Sequence, residues 1–239
     1  MKVAICFIGT GKYLNFLPKY YENIEEYFLP NTEKTILVFT DGDLDEVPDN
    51  VKVFEQEHLS WPFITLKRFE IINKARDIIE QHDWFVFIDA DALPITTITE
   101  DEFFSDKPFF GVHHPCHFLK MIPHNEYPGA WDQNERSLAY VNTFEEKPQV
   151  YYQGCLWGGK VPEVCGMIDE LEGRTNKDLE NDIVALWHDE SHLNKFYSER
   201  PNDVHTLSPS FAYPELFSSQ CNFEPKIVHL AKENSKYHQ

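Results

Sequence analysis

Hydrophobic positions along this chain follow two different periods. Short apolar runs without helical spacing occur at "KVAICFI" (2–8), "TILVFT" (35–40), "VKVFEQ" (51–56) and "WFVFID" (84–89). Their length and their β-branched and aromatic content predict strands. The near-continuous runs are those of strands buried on both faces. Between them, "KYLNFLPKYYENIEEYF" (12–28) and "TLKRFEIINKARDIIEQH" (65–82) repeat apolar residues at helical spacing. The second puts Leu66, Phe69, Ile72, Ala75 and Ile79 on one side; Pro18 marks a start or a kink in the first. The β–α–β–β–α–β order predicts an α/β fold, a doubly wound and mostly parallel sheet flanked by helices.

Periodicity fails over residues 113–150, which are rich in His, Pro, Asn and Tyr, and this region reads as a long surface excursion. Regular signals resume with a strand at "VYYQGCLWGG" (150–159). Mostly helical segments follow at 161–181 and 182–200, and a last strand starts at 226. Neither a repeat nor a low-complexity linker interrupts the 239 residues, so one domain is expected over 1–239.

Charge narrows the partners. The formal net charge is −19, which repels nucleic acid and anionic membrane. No apolar run approaches the roughly 20 residues of a membrane span. The opening residues read as a first strand and not as a signal peptide. A soluble, cytoplasmic protein is expected. The five cysteines are odd in number and include no CxxC pair, which argues against a disulfide framework or a thiolate zinc site.

The candidate chemistry sits at "FIDADALP" (87–94), where a buried strand ends in Asp89 and Asp91. Ligands of open α/β sheets bind beyond the carboxyl ends of strands, and residues i and i+2 of a strand point the same way. Two carboxylates so placed suit Mg²⁺ or Mn²⁺, through which an acidic protein can hold a diphosphate. Three readings stand at this point: solvated loop acids, a haloacid-dehalogenase phosphatase, or a sugar-nucleotide glycosyltransferase. Leu93, where the phosphatase motif has Thr or Val, counts against the second. "GTGKY" (9–13) lacks the glycines of a dinucleotide motif and the Lys-Ser/Thr pair of a P-loop. "HDESHLNKF" (188–196) fails the zinc-protease pattern because Asp189 follows the first histidine, although His188 and His192 share a helix face. "HHPCH" (113–117) is too crowded for a closed metal site.

"WPFITLKRFE" (61–70), "FIDADALP", "HHPCHF" (113–118), "YYQGCLWGG" (151–159), "HDESHLNKF" and "LSPSFAYPE" (207–215) together resemble glycosyltransferase family 6 in order and spacing. This is the family of the histo-blood-group A and B transferases and the α-1,3-galactosyltransferases. The resemblance runs from the first strand to the tail, and "HDESHLNK" is its most specific string. It implies a GT-A type, Rossmann-like fold, with a donor half over about 1–112 and an acceptor and catalytic half over about 113–239. The implied reaction moves galactose or N-acetylgalactosamine from its UDP-sugar to the 3-hydroxyl of a galactose-containing glycan, with retention. Animal members carry a membrane anchor and a stem; this chain is similar to the compact microbial or phage type. Several bacterial members have Asn in the DxD and work without metal. Both aspartates here imply dependence on Mn²⁺ or Mg²⁺.

The resemblance also assigns residues. Asp89 and Asp91 match the metal and diphosphate site. Phe7, Ile8, Tyr13, Trp61, Arg68 and Ala90 fall at donor positions, as do Gln153, Gly154, Cys155, His188 and Asp189. Lys232 resembles a basic residue that closes over the diphosphate, with Lys236 as its rival. His114, Trp187 and Glu215 match acceptor positions, although "YPE" departs from the "WD" of animal members. Glu190 is the expected catalytic carboxylate on the β face of the sugar. The same pocket without effective catalysis would be a sugar-nucleotide-binding module.

Overall fold

The computed structural model describes residues 1–44, 46–121, 130–146 and 148–232. Among these, seven strands form a sheet in the order β3-β2-β1-β4-β7-β6-β8. They are β1 (Lys2–Ile8), β2 (Glu33–Thr40), β3 (Val51–Glu55), β4 (Trp84–Ile88), β6 (Phe109–His113), β7 (Tyr152–Lys160) and β8 (Val204–Leu207). A smaller sheet joins β5 (Ala92–Pro94), β10 (Ile227–His229) and β9 (Tyr213–Pro214). The longer helices are α1 (Leu17–Tyr27), α7 (Glu163–Glu180) and α8 (His188–Ser198). Five are short: α2 (Phe63–Leu66), α3 (Arg68–Asn73), α4 (Arg76–Ile79), α5 (Glu100–Phe103) and α6 (Pro115–Phe118).

The two-residue period of the strands divides the core. Val3, Ile5 and Phe7 of β1 join Ile36, Val38, Val86 and Ile88 on one face, under Tyr20 and Ile24 of α1. Ala4 and Cys6 join Leu37, Phe39, Phe85 and Phe87 on the other, under α3, α7 and α8. Burial on both faces is why these strands read as continuous apolar runs and not as alternating ones. The sheet is mostly parallel: β1 pairs parallel with β2 and β4, whereas β7 runs antiparallel between β4 and β6. Gly158 of β7 lets strands and rings close up, because a Cβ there would lie 2.1 Å from the Phe85 carbonyl oxygen.

Three sequence expectations are corrected. The helix over 65–82 is broken into α2, α3 and α4 at Lys67 and Ala75, although its apolar face is buried as expected. Helix does not begin at 182; residues 182–187 are turn and coil, and α8 starts at His188. The excursion is partly structured: it starts from β6 and α6, and Trp131, Val141 and Tyr151 form a small core of their own against Trp187.

β1 and β4 are neighbours, while the chain leaves β1 through α1 toward β2 on the opposite side. The gap between the carboxyl ends of β1 and β4 is therefore the topological switch point, where α/β sheets bind ligands.

Candidate active site

A cavity of about 210 Å³ opens at that switch point. Ile8 and Thr10 reach it from the end of β1, and Asp89, Ala90 and Asp91 from the end of β4; Tyr13, His58, Trp61, Arg68, His229 and Lys232 are also in its wall. The aspartates do not converge by strand alternation, since β4 ends at Ile88. A tight turn, closed by the Ala92 N–H on the Asp89 carbonyl at 2.9 Å, brings them together. Antiparallel β7 delivers its own residues to the same place: Leu156 lies opposite Ile88, and the Asp89 N–H donates to the Cys155 carbonyl.

Arg68 ties the elements together. Its side chain is buried and donates to Asp89 Oδ1 at 3.1 Å, to Asp189 Oδ2 at 2.5 Å and to the Gly154 carbonyl at 3.1 Å. Its guanidinium also lies over the Phe87 ring, 4.3 Å from the centroid. Burial works to lower its pKa, but Asp189 and Asp89 outweigh that and raise it. This always-charged bridge to three separate acceptors is one Lys could not fill. Asp189 is held up at about 6, because burial outweighs the Arg68 charge.

Glu190 follows on the first turn of α8. Tyr151 donates its hydroxyl to Oε1 at 2.8 Å, and the Gly154 N–H donates to Oε2 at 2.7 Å. Asn194, one turn on, clamps the helix to β7: its Nδ2 donates to the carbonyls of Tyr152 and Glu190, and its Oδ1 accepts from the Tyr152 N–H. A Cβ on Gly154 would lie 3.2 Å from the Glu190 Cβ, so glycine keeps strand and helix this close. Loss of hydration raises the Glu190 pKa to about 7, against the lowering effect of those two hydrogen bonds. His188 begins the helix at φ 54, a left-handed conformation unusual for a non-glycine residue; its ring meets Trp61 edge-on at 4.9 Å. Burial and the Arg68 charge lower the His188 pKa to about 4.

Asp91 is 2 % exposed and paired twice, with His229 Nε2 at 3.2 Å from Oδ1 and with the Lys232 ammonium on Oδ2. Burial would raise its pKa, but the two partners hold it well below the usual carboxylate range. One oxygen of Asp89, one of Asp91 and a ring nitrogen of His229 lie within 4.8 Å of one another. Among the described residues, Asp89, Asp91, Asp189 and Glu190 face Arg68 and Lys232 as their fixed cations, so the donor set and its charge fit a divalent ion.

A second cavity, of about 190 Å³, shares His229 and Lys232 with the first. His114, Cys116, Gln153, Pro214, Leu216 and Phe217 line it as well. His114 is buried and kept neutral, with a pKa lowered to about 3 by burial and the neighbouring histidines. The Gln153 side-chain oxygen is buried without a hydrogen-bond partner among the described residues.

Ten of the residues singled out in the sequence line these two cavities: Ile8, Tyr13, Trp61, Arg68, Asp89, Ala90, Asp91, His114, Gln153 and Lys232. Gly154, His188, Asp189 and Glu190 line neither; Gly154 and Asp189 are joined to the first cavity through Arg68, His188 through Trp61, and Glu190 through its bond to Gly154. Phe7 packs in the core against Tyr20, and Cys155 is buried in the same core behind the wall. Trp187 packs on the small core of Trp131 and Tyr151, outside the lining of both cavities. Glu215 is exposed and accepts from the Ala231 N–H at 2.8 Å. Lys236 lies outside the described residues. His192 does not pair with His188: it is fully buried, 3.7 Å from Asp178. In "HHPCH", His113 and His117 bond to each other at 2.9 Å. Sequence reasoning missed His229, Tyr151, Thr10 and His58. Tyr151 stood inside a quoted string, but nothing in the string marks its hydroxyl as a partner of Glu190.

A mostly parallel α/β sheet with an Asp-x-Asp turn at its switch point and helices on both sides is the arrangement of the GT-A type of glycosyltransferase. The chain belongs to glycosyltransferase family 6, whose profile matches residues 1–238. It is 31% identical over 240 residues to the O-antigen biosynthesis glycosyltransferase WbnI of Escherichia coli, covering 100% of this chain and 98% of that one. It is 27% identical over 239 residues to the histo-blood group ABO system transferase 2 of Rattus norvegicus, covering 96% of this chain and 68% of the other. It is also 27% identical over 227 residues to the globoside alpha-1,3-N-acetylgalactosaminyltransferase 1 of Mus musculus, covering 90% and 62%. The chain is therefore a glycosyltransferase, and the family brings with it a nucleotide-sugar donor and a glycan acceptor. No described helix is long and apolar enough to cross a membrane. The phosphatase reading of Asp89-Ala90-Asp91 finds no support in this family.

Proposed function

We propose that the protein transfers galactose from UDP-galactose to the 3-hydroxyl of a galactoside, with retention of the α configuration and with Mn²⁺ or Mg²⁺. The observation that carries this reading is the placement of Glu190. Its carboxylate is gripped by Tyr151 and Gly154 and is linked through Asp189 and Arg68 to Asp89 at the mouth of the first cavity. In this reading the first cavity holds the UDP: Tyr13 and Trp61 offer apolar walls for the nucleoside, and Asp89 and Asp91 take the ion. The second cavity holds sugar, with His114 and Gln153 as its polar contacts.

Departure of UDP leaves positive charge on the anomeric carbon. Glu190 stabilises that charge from the β face or bonds to the carbon. The ion, when bound, supplies charge stabilisation for the leaving diphosphate. Asp189 and Arg68 hold the donor sugar and keep Glu190 in place. A UDP-release screen of UDP-sugars against a panel of galactosides, with and without Mn²⁺, tests the reading. Transfer is expected only with the ion, and Asp91→Asn is expected to remove most of it. Full activity in excess chelator would contradict the metal role. Phosphate release from simple monoesters would contradict the reaction class.

The donor preference turns on Cys155 and Gln153. Cys155 fills volume behind the wall, where glycine would leave room for a 2-acetamido group. The Gln153 oxygen can accept from a 2-hydroxyl or from an acetamido N–H, so it orients either sugar without choosing. Excluding one added group from a packed site is worth roughly 1–3 kcal/mol, or about tenfold and upward. UDP-galactose is therefore the preferred donor, and Cys155→Gly is expected to raise kcat/KM for UDP-N-acetylgalactosamine by about tenfold. A wild type that prefers the acetamido donor, or a glycine variant that gains nothing on it, would refute this.

A further inference from the structure

The segment from β10 to Lys232 presents two nitrogen groups to Asp91, and they have opposite consequences for a metal ion. We propose that His229 is a third protein ligand of the divalent ion, and that Lys232 is a built-in cation the ion must displace. The inference rests on the metal reading of Asp89 and Asp91 and adds the tail to it.

Backbone pairing puts His229 in place. β10 runs antiparallel to β5 with His229 opposite Ala92, the residue after Asp91. The next residue, Leu230, donates its N–H to the Asp91 carbonyl at 2.9 Å. These two contacts fix the chain on either side of the imidazole, whose Nε2 stands 3.2 Å from Asp91 Oδ1. The position of the ring is thus set by paired backbone. One donor atom each from Asp89, Asp91 and His229 already converges within 4.8 Å, and the group walls the diphosphate side of the first cavity. A set of two carboxylates and an imidazole suits a first-row transition ion better than an all-oxygen site would.

Lys232 lies three residues further on and claims the other oxygen of Asp91. Its ammonium also sits over the Tyr13 ring, 5.0 Å from the centroid, inside the same cavity. The two oxygens of Asp91 are therefore divided, one to the imidazole and one to the ammonium. An incoming divalent ion needs the carboxylate that Lys232 neutralises. Displaced from Asp91, the ammonium remains at the cavity wall, where a diphosphate offers it oxygen acceptors. Binding of the ion alone is then weaker than the three ligands would allow, and loss of Lys232 strengthens it.

The test uses the full chain without nucleotide and Mn²⁺ as the probe, with free Mn²⁺ followed by electron paramagnetic resonance. Asp91→Asn is expected to abolish binding, and His229→Asn to weaken it by about tenfold or more. Lys232→Met is expected to tighten it by about tenfold, equivalent to about 1.4 kcal/mol. The opposite signs at two neighbouring tail positions separate ligation and competition from damage to the fold. Pulsed measurement on wild-type protein with Mn²⁺ is expected to show coupling to an imidazole nitrogen, lost in His229→Asn. Equal affinities for wild type and His229→Asn, or no nitrogen coupling, would overturn the role of His229. Unchanged or weaker binding in Lys232→Met would overturn that of Lys232. If wild type takes up Mn²⁺ only with UDP present, the same comparisons are made with UDP. Binding that survives Asp91→Asn, or no binding even with UDP, would instead refute the metal reading itself.

Discussion

Replacing Glu190 by Gln lowers turnover by about 10²-fold or more while UDP binding is retained, the scale of losing a charge at a reacting centre. The substitution keeps the shape of the side chain and its hydrogen bond from either Tyr151 or Gly154. What it removes is the negative charge. Near-wild-type turnover would show that Glu190 only ties α8 to β7. The wild-type enzyme should also lose activity as the pH falls below about 7, because burial holds the proton on Glu190 up to that value and only the ionised form can stabilise an adjacent cation. Glu190→Gln should lack this acid limb. The sign for stability is the reverse. Between the ordinary value of 4.5 and about 7, the folded protein keeps a proton that the unfolded chain has released, so this group's contribution to stability falls as the pH rises through that window.

Arg68→Met should destabilise the protein by about 3–5 kcal/mol, the range for breaking a buried ion pair from one side. Asp189 and Asp89 would then face each other without their common partner, and the Gly154 carbonyl would lose its donor. For a domain of this size, that is a drop of roughly 6–20 °C in Tm, at about 2–4 °C per kcal/mol. Adding Asp189→Asn to Arg68→Met should recover part of the loss, because the two sites are directly coupled. A single variant within about 1 kcal/mol of wild type would show that Arg68 serves the donor and not the fold.

Legibility of the molecule from its sequence followed the range of the interactions involved. β1, β2 and β4 were plain because burial on both faces leaves an unbroken apolar run. The helix expected over 65–82 has the right face and the wrong continuity. Its apolar residues pack as the spacing requires, while the breaks beside Lys67 and Ala75 accompany long-range bonds that no local pattern encodes. Arg68, held from three sides, begins α3 at the first break.

The site shows the same division. Asp89, Asp91, Asp189 and Glu190 sit in strings that the family resemblance picks out. His229 lies on a three-residue strand whose place depends on pairing with β5, far away along the chain. Its part in the Asp91 cluster emerges only when the small sheet is assembled. Cys155 shows the converse: the family string names the position, but only the packing reveals that its thiol lies behind the wall.

The central claim is retaining galactosyl transfer, and the most direct measurement is the anomeric and linkage assignment, by nuclear magnetic resonance, of the product made from UDP-galactose and a galactoside with Mn²⁺. An α-galactosyl residue on the 3-hydroxyl is the predicted result. A β-linked product, or intact UDP-galactose after prolonged incubation with the acceptor panel, would contradict it.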